Sequence, residues 1–366
     1  MKIVQIITKS EPIGGAQMVL YNLLSGLKEK HDITVIIGED GRLTKEIRAL
    51  NIKCIILSSL QREINVIKDI KAYFGLKSML KEIKPDIVAS HSSKAGYISR
   101  LVCYKLKIPN VFTVHGWSFT KGVPPVKRLV YLIFEKIISI YTDRLITVSD
   151  YDRKLALKYG IISSHNVVTI HNGSPDLFDG IRKKKGNPLR GVMVARFQTQ
   201  KDHQTLFQAL KRLKNDDVII DLIGDGPLEE KYKKQAEELG LSNIIKFNGS
   251  SENVSDFLNS SDFFLLISNY EGLPLSICEA LSCGLPIIAS DVGGVRELIQ
   301  DEESGFLIPK GDSVRLTERI TQLMTDQNKL NEMSICARKN FEKNFTVDKM
   351  IKETENYYFK ILDEKH

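Results

Sequence analysis

The sequence predicts an α/β protein of two doubly wound, Rossmann-like domains facing each other across a cleft. Three observations lead there. Short apolar runs recur that are too continuous for one-sided burial, the mark of parallel strands covered on both faces. Stretches with helical spacing separate them, and strand alternating with helix describes a wound parallel sheet. The alternation stops at a Gly-, Pro- and Lys-rich stretch near the middle of the 366 residues, then begins again.

The first run, residues 2–8, contains Ile3, Val4, Ile6 and Ile7. A turn with Gly14 and Gly15 follows and opens a helical stretch over 16–30. Further strands are expected at 33–37, 53–57, 86–90, 110–114, 144–148 and 167–170, with helices at 64–84 and 94–106. Residues 176–189 include the basic run Arg182-Lys183-Lys184-Lys185 and Gly186-Asn187-Pro188. They have little to bury and read as a linker. Strands resume at 191–195, 218–223, 244–247, 263–267, 286–289 and 306–308, with helices at 204–213, 228–239, 275–282 and 314–324. Beyond Asp326 the chain reads as helical. The expected organisation is an N-terminal domain over 1–175, the linker 176–189 and a C-terminal domain over 190–345, the last helix (about 346–366) packing back on the first domain. Ligands of wound sheets sit at the carboxyl ends of the strands, so the chemistry is expected there.

Composition narrows the function. Hydrophobic residues make up 42% and charged residues 27%, the balance of a soluble globular chain rather than a disordered one. No apolar run approaches the ~18–20 residues that span a bilayer. The opening residues are too short an apolar stretch for a secretory signal. Five scattered cysteines without a CxxC pair suit buried thiols in a reducing cytosol. The net charge of +7 is unevenly spread: residues 1–174 hold 26 Lys and Arg against 14 Asp and Glu, a balance of +12, and the remainder hold 26 against 31, a balance of −5. An anionic partner for the first half follows, whether membrane surface, lipid phosphate or nucleic acid. No nucleic-acid recognition module is visible, and the acidic second half argues against one.

Four constellations carry candidate chemistry. In Glu271-Gly272-Leu273-Pro274-Leu275-Ser276, a turn leads from a buried strand into a helix that Pro274 is suited to begin. The free amides at Leu275 and Ser276 would make an anion site. Glu271 and Glu279 flank it as acceptors for sugar hydroxyls; the plainer reading is that Glu271 caps the helix and Glu279 is solvated. Arg196 and Lys201, just past the 191–195 strand, could neutralise a diphosphate, or be ordinary solvated cations. Gly14-Gly15-Ala16 lacks the spacing of GxGxxG or a P-loop and is a flexible helix start, which disfavours a dehydrogenase. His91 and His115 each follow a strand, as site residues or as buried structural histidines, and Trp117 reads as a cleft wall. Asp150-Tyr151-Asp152 mimics a metal-holding DxD pair, but Ser149 or Asp150 capping a helix is the simpler account.

Taken together these features resemble the retaining glycosyltransferases of family GT4, with the two-Rossmann GT-B architecture. The resemblance is most specific at the E-x7-E pair Glu271 and Glu279 and the following Ala280–Gly294 text with Asp291-Val292-Gly293-Gly294. It implies that Arg196 and Lys201 grip the donor diphosphate, Glu279 holds the ribose hydroxyls and Glu271 contacts the donor sugar. The backbone at Leu273, Pro274 and Leu275 would lie along sugar and phosphate, residues 249–254 would form the base pocket, and Gly14-Gly15 would close over the phosphates. His115 matches the family's first-domain histidine near the donor sugar's hydroxymethyl group and the reacting carbon. Ala195-Arg196-Phe197 and Lys201-Asp202 stand where relatives often have Gly-Arg-Leu and Lys-Gly. The first half, in His91-Ser92-Ser93-Lys94-Ala95-Gly96 and Thr113–Phe119, resembles bacterial enzymes that build capsule, exopolysaccharide or O-antigen repeats.

The resemblance implies a metal-independent hexosyltransferase without a cofactor, moving a hexose or N-acetylhexosamine from a nucleotide diphosphate, expected to be UDP. The acceptor is a hydroxyl of a polyprenyl-diphosphate-linked saccharide, touched by His91, Lys94 and Trp117. The enzyme would be cytoplasmic and peripheral at the inner membrane face, without nucleic acid. Residues 124–141 carry Val126, Leu129, Val130, Ile133, Phe134, Ile137 and Ile138 at helical spacing beside Lys127, Arg128 and Lys136. Such a helix either lies in a membrane interface or packs against its own domain. The alternatives are a nucleotide-sugar 2-epimerase of the same architecture and a non-catalytic nucleotide-sugar-binding or assembly protein.

Overall fold

The computed structural model describes residues 1–120, 122–180, 188–213 and 217–364. The chain divides into one unit of Met1–Gly173 with the C-terminal segment from Val347, and another of Ser174–Thr346. The first is built on seven parallel strands: β1 (Lys2–Ile7), β2 (Asp32–Ile37), β3 (Lys53–Ile56), β4 (Ile87–Ser90), β5 (Asn110–Val114), β6 (Arg144–Thr147) and β7 (Val167–Thr169). Their order is β3-β2-β1-β4-β5-β6-β7. The intervening helices are α1 (Gly15–Leu27), α2 (Arg42–Ala49), α3 (Val66–Ile83), α4 (Ser93–Leu106), α5 (Pro125–Ser139) and α6 (Asp150–Lys158). Right-handed crossovers place α3, α4 and α5 on one sheet face and α1 and α2 on the other. Strand residues such as Ile3, Val4, Ile6, Val35 and Ile36 are fully buried, as expected for strands covered on both sides.

The second unit has six strands, β8 (Leu189–Val194), β9 (Val218–Ile223), β10 (Ile245–Phe247), β11 (Phe263–Leu266), β12 (Ile287–Ser290) and β13 (Gly305–Ile308). They run parallel in the order β10-β9-β8-β11-β12-β13. Its helices are α7 (His203–Leu213), α8 (Glu229–Glu238), α9 (Val254–Asn259), α10 (Leu275–Ser282), α11 (Val295–Leu298), α12 (Ser313–Thr325) and α13 (Gln327–Asn344). The final helix, α14 (Val347–Asp363), belongs to the first unit. It is held there by His31 Nε2 against Glu355 Oε1 at 2.8 Å and by the burial of Met350, Thr354 and Tyr358.

Residues 181–187 of the expected linker lie outside the described residues. The stretch before them is tied to the second unit. Arg338 donates to both carboxylate oxygens of Asp176 at 2.6 Å and lies over the Phe178 ring, and Leu177 N donates to Ser282 Oγ at 3.2 Å. None of the five cysteines is in a disulfide; Cys103, Cys278 and Cys283 are buried, while Cys54 and Cys336 are partly exposed. Among the described residues no helix is long and apolar enough to cross a membrane.

Candidate active site

In the second unit the strand order reverses between β8 and β11, so the segments leaving their carboxyl ends become neighbours. Backbone pairing completes the approach. Asp202 N donates to Ile267 O and Asn269 N to Gln200 O, both at 2.8 Å, with Lys201 bridged to Ser268. Lys201 Nζ thereby forms an ion pair with Glu271, whose side chain is only 6% exposed. Gln200 Nε2 donates to the other carboxylate oxygen of Glu271 at 3.2 Å and to Tyr270 O at 2.9 Å. A cation and a carboxylate 70 residues apart in sequence are thus held together at a strand-end crevice.

Glu271 does not cap α10. The N-cap is Pro274 (φ −71°, ψ 122°), expected as the first helical residue but standing just before it, and no side chain caps the helix. Its leading amides, with no acidic residue in the first turn, remain available to an anion. Glu279 lies three and four residues on from Ser276 and Leu275 and so shares their helix face. It is half-buried, and burial pushes its carboxyl up to about 7. It has no side-chain hydrogen-bond partner among the described residues, whereas a solvated glutamate would keep an ordinary acidity.

Arg196 leaves the end of β8 in a different direction. Its Nε stands 3.5 Å from Asp225 Oδ1, both side chains being more than half exposed. Its loop is fixed from behind by Gly224-Asp225-Gly226. Phe197 N donates to Asp225 O at 2.8 Å, and a Cβ at Gly226 (φ +154°) would lie 2.5 Å from Phe197 O. A second glycine loop backs Glu271. Gly293 (φ +59°) approaches so closely that its Cβ would sit 1.9 Å from Glu271 O, and Gly294 N donates to Gly272 O at 2.9 Å. The Asp291–Gly294 text therefore has a mechanical role that sequence reading left unassigned. Gly249, at the start of the expected base pocket, accepts from Gly224 N at 2.7 Å.

In the first unit, Gly14 and Gly15 follow β1 at the corresponding reversal between β1 and β4. Gly14 is the N-cap of α1, its amide donating to Gln17 Oε1 at 3.2 Å. Three residues expected to meet an acceptor are instead committed internally. His91 is 2% exposed and both ring nitrogens are engaged, Nε2 with Gln5 Oε1 at 2.8 Å and Nδ1 with His115 Nε2 at 3.2 Å. Lys94 Nζ lies 2.6 Å from both carboxylate oxygens of Asp69. Trp117 is core rather than wall, stacked on Phe119, with Nε1 donating to Asp152 O at 2.9 Å. His91 and Trp117 are buried because a strand end on a two-sided sheet is still interior, while Lys94, in the first turn of α4, is drawn aside by Asp69. His115 is half-buried. Burial lowers its ring to about 4 and also depresses His91, where His115 adds to the effect. The Asp150-Tyr151-Asp152 resemblance to a metal pair resolves as capping: Ser149 Oγ accepts from Asp152 N at 3.1 Å, and Asp150 accepts from Thr169 Oγ1 at 2.5 Å.

The 124–141 pattern falls on α5, and the helix is inverted. Its buried residues are Glu135, paired with fully buried Arg100 of α4 at 2.6 Å, and Ile138. Val126, Leu129, Val130, Ile133, Phe134 and Ile137 face solvent, Val126 at 77% exposure. On the same layer α3 exposes Val66, Ile67, Ile70 and Phe74, a second stripe that sequence reading passed over.

Residues 13–175 match the model described as Glycosyltransferase Family 4, and 177–340 that described as Glycosyl transferases group 1. The chain is 30% identical to the UDP-Gal:alpha-D-GlcNAc-diphosphoundecaprenol alpha-1,3-galactosyltransferase of Escherichia coli, over 96% of this chain and 97% of that one. It is 30% identical to the O-antigen biosynthesis glycosyltransferase WbnH of Escherichia coli, over 92% and 94%. The Anabaena protein HepE, solved in complex with UDP-glucose, superposes with a TM-score of 0.83 at 19% identity, covering 98% of this chain and 99% of that one. The chain therefore belongs to the family 4 glycosyltransferases and carries their GT-B pair of Rossmann-like units.

Proposed function

We propose that this glycosyltransferase moves a hexose or N-acetylhexosamine from a UDP-sugar, with retention, to a hydroxyl of a polyprenyl-diphosphate-linked saccharide in surface polysaccharide synthesis. The observation that carries the reading is the Lys201–Glu271 pair beside the unoccupied amides of α10 and the half-buried Glu279. Cation and helix end take up the charge of a leaving diphosphate. Glu279 accepts from the ribose hydroxyls, and Glu271, already oriented by Gln200, accepts from the sugar. Arg196, exposed and held among the described residues only by Asp225, adds a second cation, and His115 meets the sugar near its reacting carbon. In the step itself the bond from the anomeric carbon to the β-phosphate oxygen breaks, and the acceptor oxygen bonds to that carbon from the same face. The acceptor proton passes to a phosphate oxygen of the departing UDP, and no metal is required.

The relatives named above support the donor and acceptor classes. Peripheral attachment to a membrane is supported by the inverted α5 and the α3 stripe, since an exposed apolar face with Lys127, Arg128 and Lys136 nearby suits an anionic lipid surface. The reading is tested by incubating the protein with UDP-glucose, UDP-galactose and their N-acetylated counterparts and a synthetic polyprenyl-diphosphate-linked sugar. Transfer of one sugar to the lipid-linked acceptor is expected. Isomerisation of the UDP-sugar without acceptor would identify an epimerase, and tight binding without turnover a non-catalytic protein.

A further inference from the structure

A polar glutamine stands in the middle of β1, whose other central residues are Ile3, Val4, Ile6 and Ile7. Gln5 is fully buried. A buried amide without partners is destabilising, so its hydrogen bonds bear on why it is there. Its Oε1 lies 2.8 Å from His91 Nε2, and its Nε2 donates to Tyr358 OH of α14 at 3.4 Å. His91 Nδ1 in turn lies 3.2 Å from His115 Nε2. The result is a chain from Tyr358 through Gln5 and His91 to His115, and only His115 is not fully buried.

A neutral imidazole has one donor and one acceptor nitrogen, so a fixed partner at one end sets the proton at every link. Gln5 Oε1 can only accept, which makes His91 Nε2 the donor and His91 Nδ1 an acceptor. His115 Nε2 must then carry its proton toward His91. The lone pair of His115 is left on Nδ1, a buried atom with no hydrogen-bond partner among the described residues. We propose that Gln5 and His91 are positioning residues that hold the His115 ring in the Nε2–H tautomer, leaving Nδ1 as the acceptor for a hydroxyl of the sugar. This rests on the placement of His115 beside the donor sugar. It gives His91 a role through His115 rather than on the acceptor. The depressed basicity of both rings keeps the chain neutral, as such an ordering needs.

The test is nitrogen-15 NMR of the histidine rings in the full chain, with turnover of the UDP-sugar consumed in the panel above. Wild-type His115 is expected to show a single protonated Nε2 between pH 6 and 8. Gln5→Leu frees His91 to adopt either tautomer, so the His115 pattern should become mixed and kcat fall about tenfold with the KM for the UDP-sugar unchanged. If Gln5→Leu does not fold, Gln5→Asn withdraws the acceptor by one methylene and serves in its place. A pure Nε2–H pattern with wild-type kcat in the Leu or Asn variant overturns the proposal. His115→Ala with undiminished turnover would instead overturn the placement of His115, whatever the tautomer measurement returns.

Discussion

Replacing Glu279 by Gln should stabilise the free enzyme and weaken its hold on the nucleotide. The carboxyl protonates near 7 in the folded chain, against an ordinary value of 4.5, because burial disfavours its charged form. The folded state therefore binds one more proton than the unfolded state between about pH 4.5 and 7. Stability falls as pH rises through that window and stays lower above it. At about 1.4 kcal/mol per pH unit the loss would be about 3.5 kcal/mol. Water reaching a half-buried carboxylate screens part of the penalty, which leaves roughly 1–2 kcal/mol. Glu279→Gln removes that penalty above pH 7 and leaves nothing to remove below pH 4.5. Thermal unfolding should thus show the variant melting roughly 2–8 °C higher at pH 8, for a unit of this size, and level with wild type at pH 4.5. Calorimetric titration with UDP at pH 8 should show the opposite sign, about 10–100-fold weaker binding, since a hydrogen bond to a charged acceptor is lost. Equal melting temperatures at pH 8, or an equal gain at both pH values, would refute the buried-charge origin of the effect. Undiminished UDP binding would remove Glu279 from the nucleotide site.

Lys201→Ala should lower turnover by at least 100-fold and also cost stability, about 3 kcal/mol, because it leaves Glu271 buried and unpaired. Lys201→Met combined with Glu271→Gln should recover the melting temperature but not the turnover, which separates the two roles. Ile133→Glu with Ile137→Glu on α5 should reduce sedimentation with anionic vesicles by at least fivefold and leave the melting temperature within about 1 °C, since both side chains are already exposed. Turnover should be unchanged by EDTA; a loss restored by Mg²⁺ or Mn²⁺ would contradict the metal-independent step.

The fold was legible because its signals are local. Runs such as Ile3–Ile7 and Phe263–Ile267 announce strands, and the alternation announces their parallel sense. Short helices such as α2 and α11 carried too few turns for a periodic pattern. At the site, the residue types at the ends of β8 and β11 were enough to name Lys201 and Glu271, because the order reversal in a wound sheet makes those ends neighbours. What stayed hidden depends on partners distant in sequence. Gln200 as the second support of Glu271 and Gly293 pressed on its backbone are three-dimensional facts. The same holds for Trp117 and Lys94, whose partners Asp152 and Asp69 lie 35 and 25 residues away. For α5, periodicity reveals two faces and not which is inward; Arg100 decides that by requiring Glu135 inside. Gln5 was the missed clue, a polar residue in an otherwise apolar strand.

The anomeric configuration of the new bond tests the transfer most directly. The product formed from an α-linked UDP-sugar and a polyprenyl-diphosphate-linked acceptor should give the proton coupling of an α-glycoside, with Lys201→Ala giving none. A β-linked product would contradict same-face transfer at this site.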